Sequence, residues 1–303
     1  MTDRSKGNIA LLLTAIVWGT GFIAQKLGNE VLPPMTFNAI RQLMAAVVLC
    51  PIMLFGLKRN GYLSKEKNSI EQLEFKKKKM MKAFVVCGFF MMFGTMTQQI
   101  GLVTVSAGKS GFISGLYIVF APLFTVVIGN KVNAKTFACV ALAILGFGVL
   151  SLQGGLGNVT PGDWWTLASA MGFGAQIAAI DYFVDRDNDL LISVLQMAFC
   201  GSVGLIIAII IEHPSLSAVG ECMPILLYST FVPTATGYTL QIVGQKYTSP
   251  STAALLMSLE AVFAVIFGGI FLGETMSARE LLGSAIIFAA VVLEQIEFPR
   301  REH

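Results

Sequence analysis

The sequence predicts an all-α membrane protein of ten transmembrane helices, arranged as two inverted five-helix repeats with both termini cytoplasmic. Three observations lead there. Of 303 residues, 55% are hydrophobic and only 13% charged, and the mean hydropathy is +0.72. A soluble domain carries about a quarter charged residues, so the surplus apolar surface must face lipid. The apolar residues fall into ten runs bounded by charge and turn clusters, and the chain matches itself when shifted by 143 residues.

The runs cover 8–26, 35–57, 83–103, 109–130, 135–152, 163–183, 190–211, 222–244, 250–273 and 279–296. The first follows Arg4 and Lys6, is longer than a signal-peptide core and lacks a small-x-small cleavage site, so it is expected to stay as a membrane helix. Val31-Leu-Pro-Pro34 separates it from the second. Between the second and third lies Lys58 to Lys82, including Lys76-Lys-Lys-Lys79. With no aromatic interleaved among those four lysines for base stacking, the stretch is read as a solvated, topology-setting loop at the headgroup level. Gly154-Gly-Leu-Gly-Asn158 and Pro161-Gly-Asp163 precede the sixth run, the acidic Asp185 to Asp189 the seventh, Glu212-His-Pro214 the eighth and Ser249-Pro250 the ninth. Ten crossings use about 200 residues, which leaves no room for a separate soluble domain.

Orientation follows from the cations. With the N-terminus inside, 17 of the 21 Lys and Arg fall on the cytoplasmic side: Arg4, Lys6, the nine from Lys58 to Lys82, Lys131, Lys135, Arg186, Lys246, Arg300 and Arg301. Lys26, Lys109 and Arg279 fall outside and Arg41 within the second run. The acidic 6/7 connection does not weaken this, because acids contribute little to orientation.

The 143-residue shift pairs Gln98 with Gln241, Gly101 with Gly244, Ser106 with Ser249, Leu116 with Leu259 and Val119-Phe-Ala121 with Val262-Phe-Ala264. A weaker match, at 155, sets Thr14-Ala-Ile-Val-Trp-Gly19 on Ser169-Ala-Met-Gly-Phe-Gly174. The unit is therefore five helices, residues 1–152 and 153–303. An odd unit makes the second copy enter the membrane from the other side, the arrangement of secondary transporters with a substrate site near the midplane between the halves.

Other chemistries lack their residues. The five cysteines are scattered without metal or disulfide spacing, and His213 and His303 are the only histidines. No metal site, cofactor, nucleotide-binding loop of the GxxxxGK[ST] type or nucleic-acid partner is expected, nor an enzyme's acid/base or nucleophile constellation.

The run Trp18-Gly-Thr-Gly-Phe, then Leu32-Pro-Pro34 and Arg41, Gln98-Gln-Ile-Gly, Ala107-Gly-Lys-Ser-Gly-Phe112, Leu116-Tyr117 ahead of Pro122, and Ser258-Leu-Glu260 ahead of Leu272-Gly-Glu274 resembles the ten-helix EamA-type branch of the drug/metabolite transporter superfamily. The resemblance spans essentially the whole chain. It implies a central cavity lined by both repeats, with helices 5 and 10 peripheral and a homodimer through them in some members. Its substrates include amino acids, nucleobases, sugars, organic cations and drugs. One departure is Ala261, where the family often has Pro after Leu-Glu. The helix break is therefore not expected in helix 9, while Pro122 keeps one in helix 4.

Polar groups at membrane depth are the site candidates. Glu260, about 16 Å into helix 9, is the deepest acid and suits a group that loads and unloads a proton. Arg41, about 10 Å into helix 2, can take a substrate carboxylate or tie helices together, the commoner role. Lys26 and Asp181 correspond under the 155 shift and are read as gate charges or boundary residues that snorkel. For substrate binding the helical faces point to Trp18 and Gln25, to Gln98 with Gln99, to Ser114 and Tyr117, and to Tyr238 and Gln241, with helix gluing by hydrogen bonds as the competing role. Tyr117 is the repeat counterpart of Glu260.

The function expected is a secondary transporter of the cell membrane that moves a small metabolite by alternating access, foremost an exporter of amino acids or related metabolites exchanging with protons. An importer, or an uncoupled facilitator of a nucleobase, sugar or organic cation, fits the same residues. Partners are then the substrate, the lipid bilayer, a proton and, through the resemblance, a second copy of the chain.

Overall fold

A computed structural model describes residues 3–64, 68–125, 134–151, 159–184, 189–247 and 256–295. The described residues are helical, with no strand among them. In chain order the helices are α1 (Asp3–Val31), α2 (Pro34–Asn60), α3 (Ile70–Gly101), α4 (Ala107–Ser114), α5 (Tyr117–Thr125), α6 (Ala134–Ser151), α7 (Pro161–Phe183), α8 (Asp189–Ile211), α9 (Leu216–Glu221), α10 (Met223–Ser229), α11 (Gly237–Tyr247), α12 (Glu260–Leu272) and α13 (Ala278–Gln295). By length and composition, six stretches are able to cross a membrane: Ser5–Val31, Pro34–Asn60, Ile70–Gly101, Ala107–Phe124, Ala134–Ser151 and Asp189–Ile211. The remaining apolar runs hold α7, the α10–α11 stretch, a shorter apolar helix Leu256–Leu272 and α13. The basic residues Lys65, Lys67, Lys131, Arg186, Arg300 and Arg301 and the turns at 154–158, 185–188 and 249–250 lie outside the described residues.

The basic stretch before helix 3 is not a loop throughout. Ser69 and Gln72 form a reciprocal capping box that starts α3 at Ile70, so Lys76 to Lys79 are helical. At 32 residues α3 is about 48 Å long, more than a bilayer core needs, and its basic first turns extend beyond the apolar span. Lys76 folds back, with Nζ donating to Tyr62 O at 2.9 Å and Asn68 Oδ1 at 2.8 Å, and lies 4.3 Å from the centre of the Tyr62 ring. The aromatic partner comes from before the basic run.

Two further features depart from plain helices. The helix-4 region breaks at Gly115 and Leu116, where Leu116 N–H bonds Ile113 O in a three-residue turn before α5. The helix-9 region breaks likewise: Leu259 N–H bonds Leu256 O, and α12 restarts at Glu260. The two breaks are in register under the 143-residue shift. The missing proline at Ala261 therefore does not remove the break, and Pro122 lies well inside α5 rather than at its start. Between α10 and α11, Thr230–Thr236 forms wide π-type turns around Pro233, whose missing N–H leaves the α-helical ladder open there.

Packing is reciprocal between segments before and after residue 152. Helix α2 packs on α8, α4 on α12 and α6 on α13; α1 packs on α11 and α12, and in the same way α7 receives α3, α4 and α5. Close approach needs small residues at the crossings. A Cβ on Gly111 would lie 3.1 Å from the Ala261 Cα and from the Ala264 Cβ, so glycine there lets α4 and α12 touch through their backbones. In the other glycine-rich stretch, Gly273 ends α12 with φ +63°, a left-handed cap.

Candidate functional site

A cavity opens where these helices meet. It is lined by Trp18, Gly21, Phe22 and Gln25 of α1, Arg41 of α2, Gln98 of α3, Tyr117 of α5, Phe173, Gln176 and Ile177 of α7, Pro233 of the π-type turns, Tyr238 and Gln241 of α11 and Glu260 of α12. Seven of these sit before residue 152 and seven after it. The two helix breaks bring Tyr117 and Glu260, each the first residue of the helix after its break, into the lining.

Arg41 is 3% exposed and holds three elements together. Its guanidinium donates to Thr234 Oγ1 at 3.0 Å, to Gln25 Oε1 at 3.3 Å and to Asn38 Oδ1 at 2.8 Å. Its Nε–H has no hydrogen-bond partner. Thr234 belongs to the π-type turns. Pro233 carbonyl accepts from Trp18 Nε1 at 3.1 Å, and the Trp18 and Tyr238 rings stand 5.2 Å apart, tilted by 60°. Glu260 is 5% exposed, with the Tyr117 hydroxyl beside its carboxyl but without a well-formed hydrogen bond to it. Tyr117 in turn meets Phe173 edge to face at 6.4 Å. Gln241 is buried with its Oε1 unpaired, and Gln176 donates to Gln196 Oε1 at 2.8 Å.

Of the residues expected at the site, Trp18, Gln25, Arg41, Gln98, Tyr117, Tyr238, Gln241 and Glu260 converge on this cavity. Ser114 and Gln99 do not line it. The Ser114 hydroxyl is fully buried and bonds back to Ser110 O at 2.7 Å, along its own helix. Gln99 points away from its neighbour Gln98 and donates to Gln25 O at 3.0 Å and Asn29 Oδ1 at 2.7 Å, tying α3 to α1. Lys26 and Asp181 are not brought together. Asp181 is exposed near the end of α7, whereas Lys26 bonds Glu274 at 2.9 Å and Val105 O at 3.1 Å. The lining residues not foreseen as binding residues are Gly21, Phe22, Phe173, Gln176, Ile177 and Pro233.

The end of the bundle that carries Lys26 is tied by charge. Glu274 also accepts from the Ala107 N–H at 2.8 Å, the N-terminus of α4. Lys109 pairs with Asp163 at 2.7 Å, and Glu212 accepts from the Met35 and Thr36 N–H groups at the start of α2, at 2.9 and 2.7 Å. Each of these contacts joins a residue before 152 to one after it. At the opposite end, Lys246 and Asp189 pair at 3.2 Å within the second half.

A helical bundle with several apolar spans and, between its two halves, a cavity of mixed aromatic, amide and ionisable lining reached by broken helices is the architecture of a membrane transporter. The sequence comparisons agree. The family model for the EamA-like transporter family matches residues 5–152 and again 160–294, and the chain belongs to that family. It is a multi-pass membrane transporter.

An uncharacterized transporter of Archaeoglobus fulgidus is 27% identical over 96% of this chain and 86% of that protein. A probable terminal-alkyne amino-acid exporter of Streptantibioticus cattleyicolor is 25% identical, covering 95% and 93%. A solved crystal structure superposes with a TM-score of 0.66 at 16% identity, covering 96% of both chains, and shares the fold.

Proposed function

We propose that the protein is a secondary transporter of the cell membrane, with ten transmembrane helices in two inverted five-helix repeats, residues 1–152 and 153–303, and both termini cytoplasmic. It exports amino acids or related metabolites in exchange for protons. The two-part family match and the reciprocal helix packing support the repeats. The likeness to the Streptantibioticus exporter supports the substrate class.

The observation that carries the reading is Glu260, an acid without an ion pair among the described residues, in a cavity built from both repeats. The repeats rock about that cavity. In the orientation proposed, the end with the Lys26–Glu274 and Lys109–Asp163 pairs faces outward and is closed, and export requires these ties to open. Lys26 is then an outer gate residue with Glu274 as its partner, while Asp181 marks the inner boundary.

The test is transport by purified protein in liposomes. Amino acid accumulated against its gradient when a proton gradient is imposed supports the reading. Exchange that runs only downhill, indifferent to the proton gradient, supports an uncoupled facilitator instead.

A further inference from the structure

We infer that the cavity selects a bipolar amino acid, a molecule whose carboxylate is taken by Arg41 and whose ammonium is taken by Glu260. The inference rests on the transporter reading and names which end of the substrate each repeat holds.

Three ion pairs occupy other parts of the described structure: Lys26–Glu274, Lys109–Asp163 and Lys246–Asp189. In the cavity itself one basic and one acidic side chain remain, Arg41 and Glu260, neither paired with an opposite charge. All the partners of Arg41 are neutral, one hydroxyl and two amide oxygens, which use three of the five guanidinium donors. Its buried Nε–H is among those left over. Near Glu260 stand the hydroxyls of Tyr117 and Tyr238, both neutral.

Buried charges that lack a partner are costly, and the cost is offset when an opposite charge arrives in good geometry. A neutral solute leaves both charges uncompensated, and a simple acid or amine leaves one. Only a solute with both ends compensates both. The two residues stand on α2 and α12, in different halves of the chain, and are not paired with each other, so the substrate must reach from one to the other. In the same lining the rings of Trp18, Tyr117, Phe173 and Tyr238 suit an apolar midsection and can add cation–π attraction to an ammonium. A carboxylate that holds an ammonium cannot at the same moment hold a proton. Substrate and proton therefore alternate on Glu260.

The test is ligand-dependent thermal unfolding of the purified full-length protein. The probes are lysine and straight-chain ω-amino acids of increasing length, each with its methyl ester and its N-acetyl derivative. The free amino acids are expected to raise the unfolding midpoint, with one chain length best. Ester and N-acetyl forms should each bind at least about tenfold more weakly, the loss of one charge-assisted hydrogen bond.

Glu260→Gln should abolish discrimination against the N-acetyl form while keeping discrimination against the ester, and Arg41→Gln should do the reverse. If Arg41→Gln does not fold, the wild-type panel alone still decides. Equal stabilisation by the blocked forms, or none by any member of the panel, overturns the assignment. Liposome flux separates this failure from failure of the transporter reading. Flux of amines or acids as fast as amino acids removes the bipolar selection and leaves transport standing, whereas no flux of any solute removes both.

Discussion

Lys109 and Asp163 form an ion pair at 2.7 Å in which the Asp163 side chain is fully buried and the Lys109 side chain is 11% exposed. The same carboxylate caps α7, accepting from the Thr160 N–H at 3.0 Å. One acid thus fixes the start of α7 and ties it to α4, across the boundary between the halves. Lys26 and Glu274 make a second tie at the same end, with 26% and 18% of their side chains exposed. The two ties differ in burial, and burial sets what breaking each costs.

Asp163→Asn leaves the Lys109 ammonium buried without a counter-charge, a loss of about 3–5 kcal/mol. It should lower the unfolding temperature of the purified protein sharply, and Lys109→Met combined with it should recover part of the loss. An unchanged midpoint for Asp163→Asn would show that the pair is solvated.

Breaking the more exposed pair should instead act on access. Lys26→Gln costs about 0–1 kcal/mol of stability. In a variant lacking the five native cysteines and carrying Gln98→Cys, it should speed labelling of the cavity by a membrane-impermeant thiol reagent added from outside. Labelling no faster than in the Lys26 parent removes the pair from the gate.

The sequence repeat pairs several of the residues that share the cavity lining. Under the 143-residue shift Tyr117 matches Glu260 and Gln98 matches Gln241, and all four line the cavity. The 155-residue shift sets Trp18 on Phe173 and Phe22 on Ile177, and these too line it. Phe173 is legible by that rule as the counterpart of Trp18, whereas Gln176 pairs with Gly21, which carries no side chain to mark a site.

A helical wheel shows which residues share a face, but not which neighbour that face meets. That is why Ser114 and Gln99 looked equivalent to the lining residues. The partner of Lys26 lies in a turn far along the chain, and no local pattern points to Glu274. The break at Leu259 has no proline to announce it. It is recognisable through its register with Leu116: the bond from Leu116 N–H to Ile113 O is matched by Leu259 N–H to Leu256 O, and that from Phe120 N–H to Leu116 O by Phe263 N–H to Leu259 O.

Glu212→Gln tests the join between α2 and α8. Its carboxylate accepts from the Met35 and Thr36 N–H groups and from the Thr36 hydroxyl, at 2.9, 2.7 and 2.7 Å, where the cap residue Pro33 makes no side-chain hydrogen bond. A neutral amide presents only one acceptor oxygen and no charge to the helix dipole, so stability should fall by about 0.5–2 kcal/mol, read as a lower unfolding midpoint. Transport per folded molecule should be little changed, since Glu212 does not line the cavity.

Gly111→Leu tests the contact of α4 with α12. The new Cβ alone would stand 3.1 Å from the Ala261 backbone, and the rest of the side chain has to push the helices apart. Overpacking of this kind costs about 1–3 kcal/mol. Because α12 carries Glu260 and α4 leads into Tyr117, the shift should also lower transport more than it lowers the amount of folded protein. Equal losses of the two would mean that the contact is structural only.

Glu260→Gln separates coupling from movement. The amide keeps the size and polarity of the carboxyl beside Tyr117 but takes up no proton, so a cycle that exchanges substrate for protons loses its link to the pH gradient. Liposomes carrying this variant should show substrate exchange driven by substrate gradients alone, while an imposed proton gradient no longer drives accumulation. Proton-driven accumulation that persists at the parent's level would transfer coupling to another group. Loss of all exchange in a variant that still folds would mean that holding the ammonium at this position is indispensable to movement, and counterflow with an N-acetylated probe, which has no ammonium to hold, distinguishes that outcome from loss of coupling.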